Sequence, residues 1–152
     1  MPVLGTCGGF QHVILEYARN VLDFGDAHHA EYDPYVSRLF ISELACSLAG
    51  RTMEINLVPK SGIPAIYRRT RVLEQYYCNF GVNPEFVQIL LESCLNVVGS
   101  DREGEVRIVS LSNHPFYYAT LFVPQMASTQ DAPHPLVSAY LQNVLQLPSD
   151  HR

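Results

Sequence analysis

The sequence predicts a single α/β domain. Three observations carry that expectation. A short apolar strand near the start runs straight into a glycine-rich turn. Helix-spaced apolar stripes recur near the beginning, middle and end of the chain. Strand-like runs lie between them, and interleaved helices and strands mark an α/β sheet.

Taken in order, Pro2-Val3-Leu4 is the first strand and ends in Gly5-Thr6-Cys7-Gly8-Gly9. Phe10, Val13, Ile14, Tyr17, Ala18, Val21 and Leu22 then form one apolar stripe at helical spacing, and Gly25 suits the helix stop. Arg38 to Ser42 and Thr52 to Val58 read as strands, with a loop from Lys60 to Pro64. Asn83-Pro84-Glu85 supplies a cap, a first-position proline and a first-turn acid for a helix whose apolar side is Phe86, Val87, Leu90, Leu91 and Cys94. Asn96 to Gly99 and Glu105 to Leu111 bracket a polar turn and predict a hairpin. His114-Pro115 turns the chain into a strand from Phe116 to Phe122. His134-Pro135 leads into the last helix, which carries Leu136, Val137, Tyr140, Leu141, Val144 and Leu145 on one face.

A chain of 152 residues fits one domain and can bury roughly 70% of its unfolded surface. We read residues 1–147 as that domain and 148–152 as a C-terminal tail. The net charge is −5, and the one basic cluster, Arg68-Arg69-Thr70-Arg71, is too short for a nucleic-acid face. No apolar run approaches the roughly 20 residues of a membrane span. The first ten residues have no basic n-region and run directly into a glycine-rich turn, a pattern that does not predict a secretory signal. Cys7, Cys46, Cys78 and Cys94 form no C-x-x-C pair, which predicts reduced thiols in the cytoplasm. Cys46, Cys78 and Cys94 lie in apolar stretches and are expected to be small core residues.

The chemistry centres on Cys7. A strand, a tight turn and a helix form a nucleophile elbow, in which glycines let the backbone hold the thiol clear of the sheet. The helix N-terminus favours thiolate, and the Gly8 N–H is placed to donate to an oxyanion. The bland alternative is a buried cysteine in an ordinary turn.

Pro2 to Gln11 resembles the Pro-x-Leu-Gly-x-Cys-x-Gly-x-Gln signature of class I glutamine amidotransferases. Glu16 to Val21, Ala30-Glu31-Tyr32, Gly50 to Met53, Asn113 to Pro124, Ser128-Thr129 and His134-Pro135-Leu136 look specifically like the glutamine-amidotransferase domain of CTP synthase, or like stand-alone proteins related to its C-terminal region. The resemblance implies a three-layer, flavodoxin-like sheet and a place in pyrimidine nucleotide biosynthesis beside a ligase. It makes Cys7 the nucleophile, lets Gly8, Gly9, Phe10 and Gln11 line the glutamine and its oxyanion, and gives Glu31 the substrate's α-amino group. Implied partners are glutamine or a similar small amide, an upstream half or synthetase that accepts ammonia, and a second copy in a homo-oligomer. No glycine-rich phosphate loop is present, so no ATP or UTP chemistry and no cofactor is assigned to this chain.

Three departures qualify that expectation. The family's Phe-His-Pro-Glu, which supplies base and orienter, reads Phe122-Val123-Pro124-Gln125. Its His-Arg-Tyr stretch aligns with Glu74-Gln75-Tyr76, leaving Gln75 at the carboxylate clamp unless Arg69 or Arg71 reaches in. The nucleophile strand, interior in this fold, begins at residue 2, so the strands before the elbow are expected to be lacking and the chain to be the C-terminal portion of a longer protein. Losing a general base costs 10²–10⁴-fold, so ordinary glutaminase turnover is expected near background.

The remaining candidates are weaker. His28-His29-x-Glu31 reads as a polar loop, because nothing completes a metal-ligand set. Glu16, Arg19 and Glu43 read as solvated surface. Two functions follow: a glutamine-amidotransferase homologue with weak or altered thiol-dependent activity on an amide, or a pseudoenzyme that binds a small ligand without turnover. A thiol redox protein is a third reading, opposed by the lack of a nearby resolving cysteine unless Cys46 or Cys78 folds close.

Overall fold

The computed structural model describes residues 1–146, so the expected boundary at 147 and the tail 148–152 lie outside the described residues. Strand β1 (Val3–Thr6) leads through Cys7 into helix α1 (Gly8–Asn20). After β2 (His28–His29), β3 (Leu39–Glu43) and β4 (Thr52–Leu57) come α2 (Ile63–Tyr67), β5 (Arg71–Gln75), β6 (Phe80–Val82) and α3 (Pro84–Leu91). The hairpin β7 (Leu95–Ser100) and β8 (Val106–Leu111) precedes β9 (Tyr117–Thr120), a 3-10 turn (Pro124–Ala127) and α4 (Pro135–Leu145).

Six strands form the main sheet in the order β1-β9-β8-β7-β4-β5, and β2-β3-β6 form a smaller one. Only β1 and β9 pair in parallel within the main sheet, with Thr6 opposite Thr120. Their carboxyl ends therefore open on the same side, where ligands bind in open α/β sheets. β1 stands at the end of that order, with β9 as its neighbour.

Consecutive residues of β9 face opposite ways. Tyr117 lines a cleft with Val13, Tyr17 and Val21 of the α1 segment. Tyr118 points its hydroxyl at Gly62 before α2, and Phe116 meets Tyr140 of α4 with ring centroids 6.0 Å apart. Helices thus cover both faces, giving the expected three-layer α/β arrangement. Helix α1 packs on β1 and β9 and also on β3 and β6, so it joins the two sheets. Its Phe10, Ile14 and Ala18 are fully buried, each large apolar side chain contributing about 1.5–3 kcal/mol.

Several expectations need correction. The sequence predicts a loop over residues 60–64, but α2 begins at Ile63, with Pro64 tolerated in its first turn. Strand β5 escaped notice because Val72 and Glu74 face inward and Arg71, Leu73 and Gln75 outward, so a buried acid breaks the apolar alternation. In α3 only Leu90 is buried, whereas Leu91 is 51% exposed. Of the three cysteines expected in the core, Cys78 is buried, but Cys46 and Cys94 are exposed. Cys94 falls just past α3, beyond the reach of its packed face.

Candidate functional site

The elbow is built by Cys7 itself. Its backbone adopts φ 50° and ψ −110°, a conformation that costs a non-glycine residue on the order of 1–3 kcal/mol. The Cys7 N–H donates to the Thr120 carbonyl at 2.9 Å, extending the β1–β9 ladder by one residue, and the Cys7 carbonyl accepts from the Gln11 N–H to start α1. Gly8 and Gly9 have open space where a Cβ would stand. Gly5 does not: a Cβ there would lie 3.2 Å from the Gly9 main chain. The glycine that the elbow needs is therefore Gly5, because it lets α1 close down on β1, and the strain sits on Cys7 rather than on the glycines after it.

The N–H groups of Gly8, Gly9 and Phe10 open α1 and have no intrahelical acceptor. They open at the end of the sheet where Cys7 emerges. The Phe10 side chain is wholly in the core, so only its main chain can meet a ligand.

Gln11 is 7% exposed, and both ends of its amide are engaged. Its Nε2 donates to the Phe80 carbonyl at 3.0 Å, and its Oε1 lies 3.0 Å from His29 Nε2. His29 Nδ1 accepts from the Glu31 N–H, which leaves the ring proton on Nε2 and facing Gln11. Burial lowers the His29 pKa; the Glu31 carboxylate opposes the shift and His12 adds to it. Gln11 thus ties α1 to β2 and β6 rather than presenting a free amide. Glu31, exposed beside that network, remains open to a cationic group.

Beyond β9, Gln125 reaches the strand that leads into the elbow, and Val123 lies against β5. Val123 donates its N–H to the Gln75 carbonyl, and Gln125 Nε2 donates to Thr6 Oγ1 at 2.8 Å, one residue before Cys7. Of the positions expected to hold base and orienter, Val123 thus meets Gln75 and Gln125 meets Thr6, and neither side chain moves a proton. Gln75 points its side chain to solvent. The segment that meets Cys7 and Gln11 from this part of the chain is Cys78 to Phe80: Cys78 Sγ pairs with Cys7 Sγ, and the two Cα atoms are 6.3 Å apart.

Arg69 and Arg71 line a separate cleft of about 570 Å³ with Glu54, Tyr67, Glu74 and His134. There Glu74 accepts from the Tyr67 hydroxyl at 2.7 Å and from His134 Nε2 at 2.9 Å. Burial and the neighbouring carboxylate push the Tyr67 hydroxyl far up, so it stays a donor. Sequence reasoning missed this trio because Glu74 and His134 lie 60 residues apart. The expected surface residues Glu16 and Glu43 are exposed, while His114 is half-buried, and so is Arg19, which donates to the Ala27 carbonyl. Among the described residues, no helix is long and apolar enough to cross a membrane.

No family model matches the chain. Proteins named CTP synthase from Cyanothece sp. and Haloquadratum walsbyi are 32% and 33% identical to it, over 93% and 95% of this chain and 28% and 27% of their own length. The CTP synthase of Caldivirga maquilingensis is 35% identical over 95% of this chain and 29% of its own. The chain therefore spans just over a quarter of the length of the curated relatives it matches. Among solved structures, the Trypanosoma brucei CTPS glutaminase domain with bound acivicin superposes with a TM-score of 0.86 at 22% identity. That match covers 95% of this chain and 60% of the other and shows the fold.

Proposed function

Because this chain is homologous to the C-terminal, glutaminase part of CTP synthases, we propose that it is a glutamine-amidotransferase-like protein that keeps the nucleophile and has lost the base. The observation that carries this reading is the strained backbone of Cys7 at the start of α1. Such strain persists only where surrounding structure enforces it, and it clusters at reactive sites. In the proposed chemistry the Cys7 thiolate attacks the side-chain carbonyl of glutamine or a similar small amide. The Gly8 N–H receives the oxyanion, and Glu31 holds the α-amino group.

The C–N bond breaks to leave a glutamyl thioester on Cys7, which water then hydrolyses, and the departing ammonia needs a proton. Val123 cannot supply one, and His29 is engaged with Gln11 and the Glu31 N–H. Turnover is therefore weak, by about the 10²–10⁴-fold that a general acid–base contributes. Released ammonia would pass to a synthetase partner, and the compartment that suits a free thiol is the cytoplasm.

A second reading, a pseudoenzyme that binds a small ligand, is favoured by the committed Gln11 amide and by the contact between Cys7 and Cys78. One experiment separates the two: glutamine hydrolysis by the reduced full chain, with Cys7→Ala as control. Slow turnover abolished by the substitution supports the first reading. Turnover equal in both proteins, with glutamine still bound, supports the second.

A further inference from the structure

Cys7 and Cys78 are the only two of the four cysteines that meet. Their Cα separation of 6.3 Å lies within the range a disulfide spans without backbone movement. The contact joins the start of α1 to the segment between β5 and β6, across a sequence separation of 71. We propose that they are the attacking and resolving thiols of a reversible disulfide, formed by exchange with a low-molecular-weight disulfide. This goes beyond the amide chemistry above and holds whether or not Cys7 attacks a carbonyl.

The two positions differ in the way such exchange requires. Cys7 is half-buried at the N-terminus of a 13-residue helix, where the dipole and free N–H groups favour thiolate. Cys78 is 3% exposed, and its Sγ lies 3.3 Å from the Leu121 carbonyl, to which the thiol donates when reduced. An external disulfide therefore reaches Cys7 first.

The Cys7 thiolate attacks one sulfur of the small disulfide, the S–S bond breaks, and one small thiolate leaves. Cys7 is left as a mixed disulfide. Cys78 gives up its proton and attacks Cys7 Sγ, expelling the second small thiolate. The protein loses two electrons and the small disulfide gains them; both departing thiolates are protonated according to their pKa. A low-molecular-weight thiol runs the same steps backwards. In the oxidised state Cys7 has no thiol to offer an amide, so the exchange also controls the site.

The test uses the full chain with the exposed thiols removed by Cys46→Ser and Cys94→Ser, equilibrated in buffers of graded reduced-to-oxidised glutathione. Acid quenching, alkylation and peptide mapping by mass spectrometry then report each thiol. The expected result is one two-electron transition that converts both alkylated peptides into a single Cys7–Cys78 cross-linked peptide. Adding Cys78→Ser should trap glutathione on Cys7, whereas adding Cys7→Ser should leave Cys78 unmodified. Separate glutathione adducts on the two cysteines, or no cross-link in excess oxidised glutathione while circular dichroism shows the fold intact, would overturn the proposal. The unsubstituted pair decides the question even where a Cys78 variant fails to fold. The readout is covalent, so failure here and failure of the amidotransferase reading are told apart.

Discussion

His134 Nε2 stands 2.9 Å from Glu74 Oε1, with side chains 6% and 3% exposed. Glu74 points inward from an edge strand, and His134 caps α4, its Nδ1 accepting from the Leu136 N–H. The pair, with the Tyr67 hydroxyl as a second donor, fastens α4 and the last residue of α2 onto β5. A buried carboxylate is tolerated only while its donors remain.

Removing one donor should therefore be costly. His134→Ala leaves Glu74 with Tyr67 alone, and taking a donor from a buried carboxylate costs at least about 1–3 kcal/mol, with the lost packing of the ring added. Urea unfolding should show the midpoint falling steeply with the slope unchanged. A change below about 1 kcal/mol would mean that water replaces the imidazole. Tyr67→Phe should cost less, about 1–3 kcal/mol, because it leaves the His134 bond in place.

Acid should weaken the fold through His29. Its folded pKa lies below the ordinary histidine value, so the unfolded chain binds the proton more tightly. The stability His29 contributes is complete above the unfolded value, near 6.5, and is lost as pH falls through it toward the folded one. Protonating Nδ1 would also end its acceptance from the Glu31 N–H. Denaturation midpoints between pH 7.5 and about 5 should fall, and His29→Gln should flatten that slope. An unchanged slope in the variant would assign the acid sensitivity elsewhere.

Two glycines of the elbow should respond differently to the same change. At Gly5 a Cβ would press on the Gly9 main chain at 3.2 Å, and neither backbone segment can give easily. Gly5→Ala should cost about 1–3 kcal/mol, as overpacking does. Gly8→Ala meets nothing within 4 Å and should be neutral or slightly stabilising, since alanine suits a helix better. Equal losses at both positions would contradict the close packing of α1 on β1.

What could be read from the sequence was what neighbours in sequence determine. The elbow, the Asn83 cap on Glu85 and the β7–β8 hairpin each rest on residues a few positions apart, and each is present. Strand β5 was hidden because its inward acid is stabilised by His134, far along the chain. The partner of Cys7 was hidden for the same reason. Nothing in its spacing from Cys78 marks a pair, and only the path of the chain from β5 to β6 brings the thiols together. Gln11 shows the limit of a motif: the residue stands where the pattern places it, but its buried amide serves His29 and Phe80.

Rebuilding the missing proton relay is the sharpest trial of the proposed function. Val123 begins the turn beyond β9, and its N–H is held by the Gln75 carbonyl, so the main chain there is already fixed. Gln125 reaches Thr6, which adjoins Cys7. Val123→His with Gln125→Glu would place an imidazole and a carboxylate at these two positions. In reduced protein the double variant should hydrolyse glutamine faster by 10²-fold or more, the scale of a positioned general base. Adding Cys7→Ala should abolish the gain, because the relay acts only through the thiol. Val123→His alone should recover less, since an imidazole without an orienting anion samples unproductive rotamers and tautomers. A double variant no faster than the parent, though folded and able to bind glutamine, would mean that the loss at this site extends beyond the base, to the donors and charges that hold the substrate.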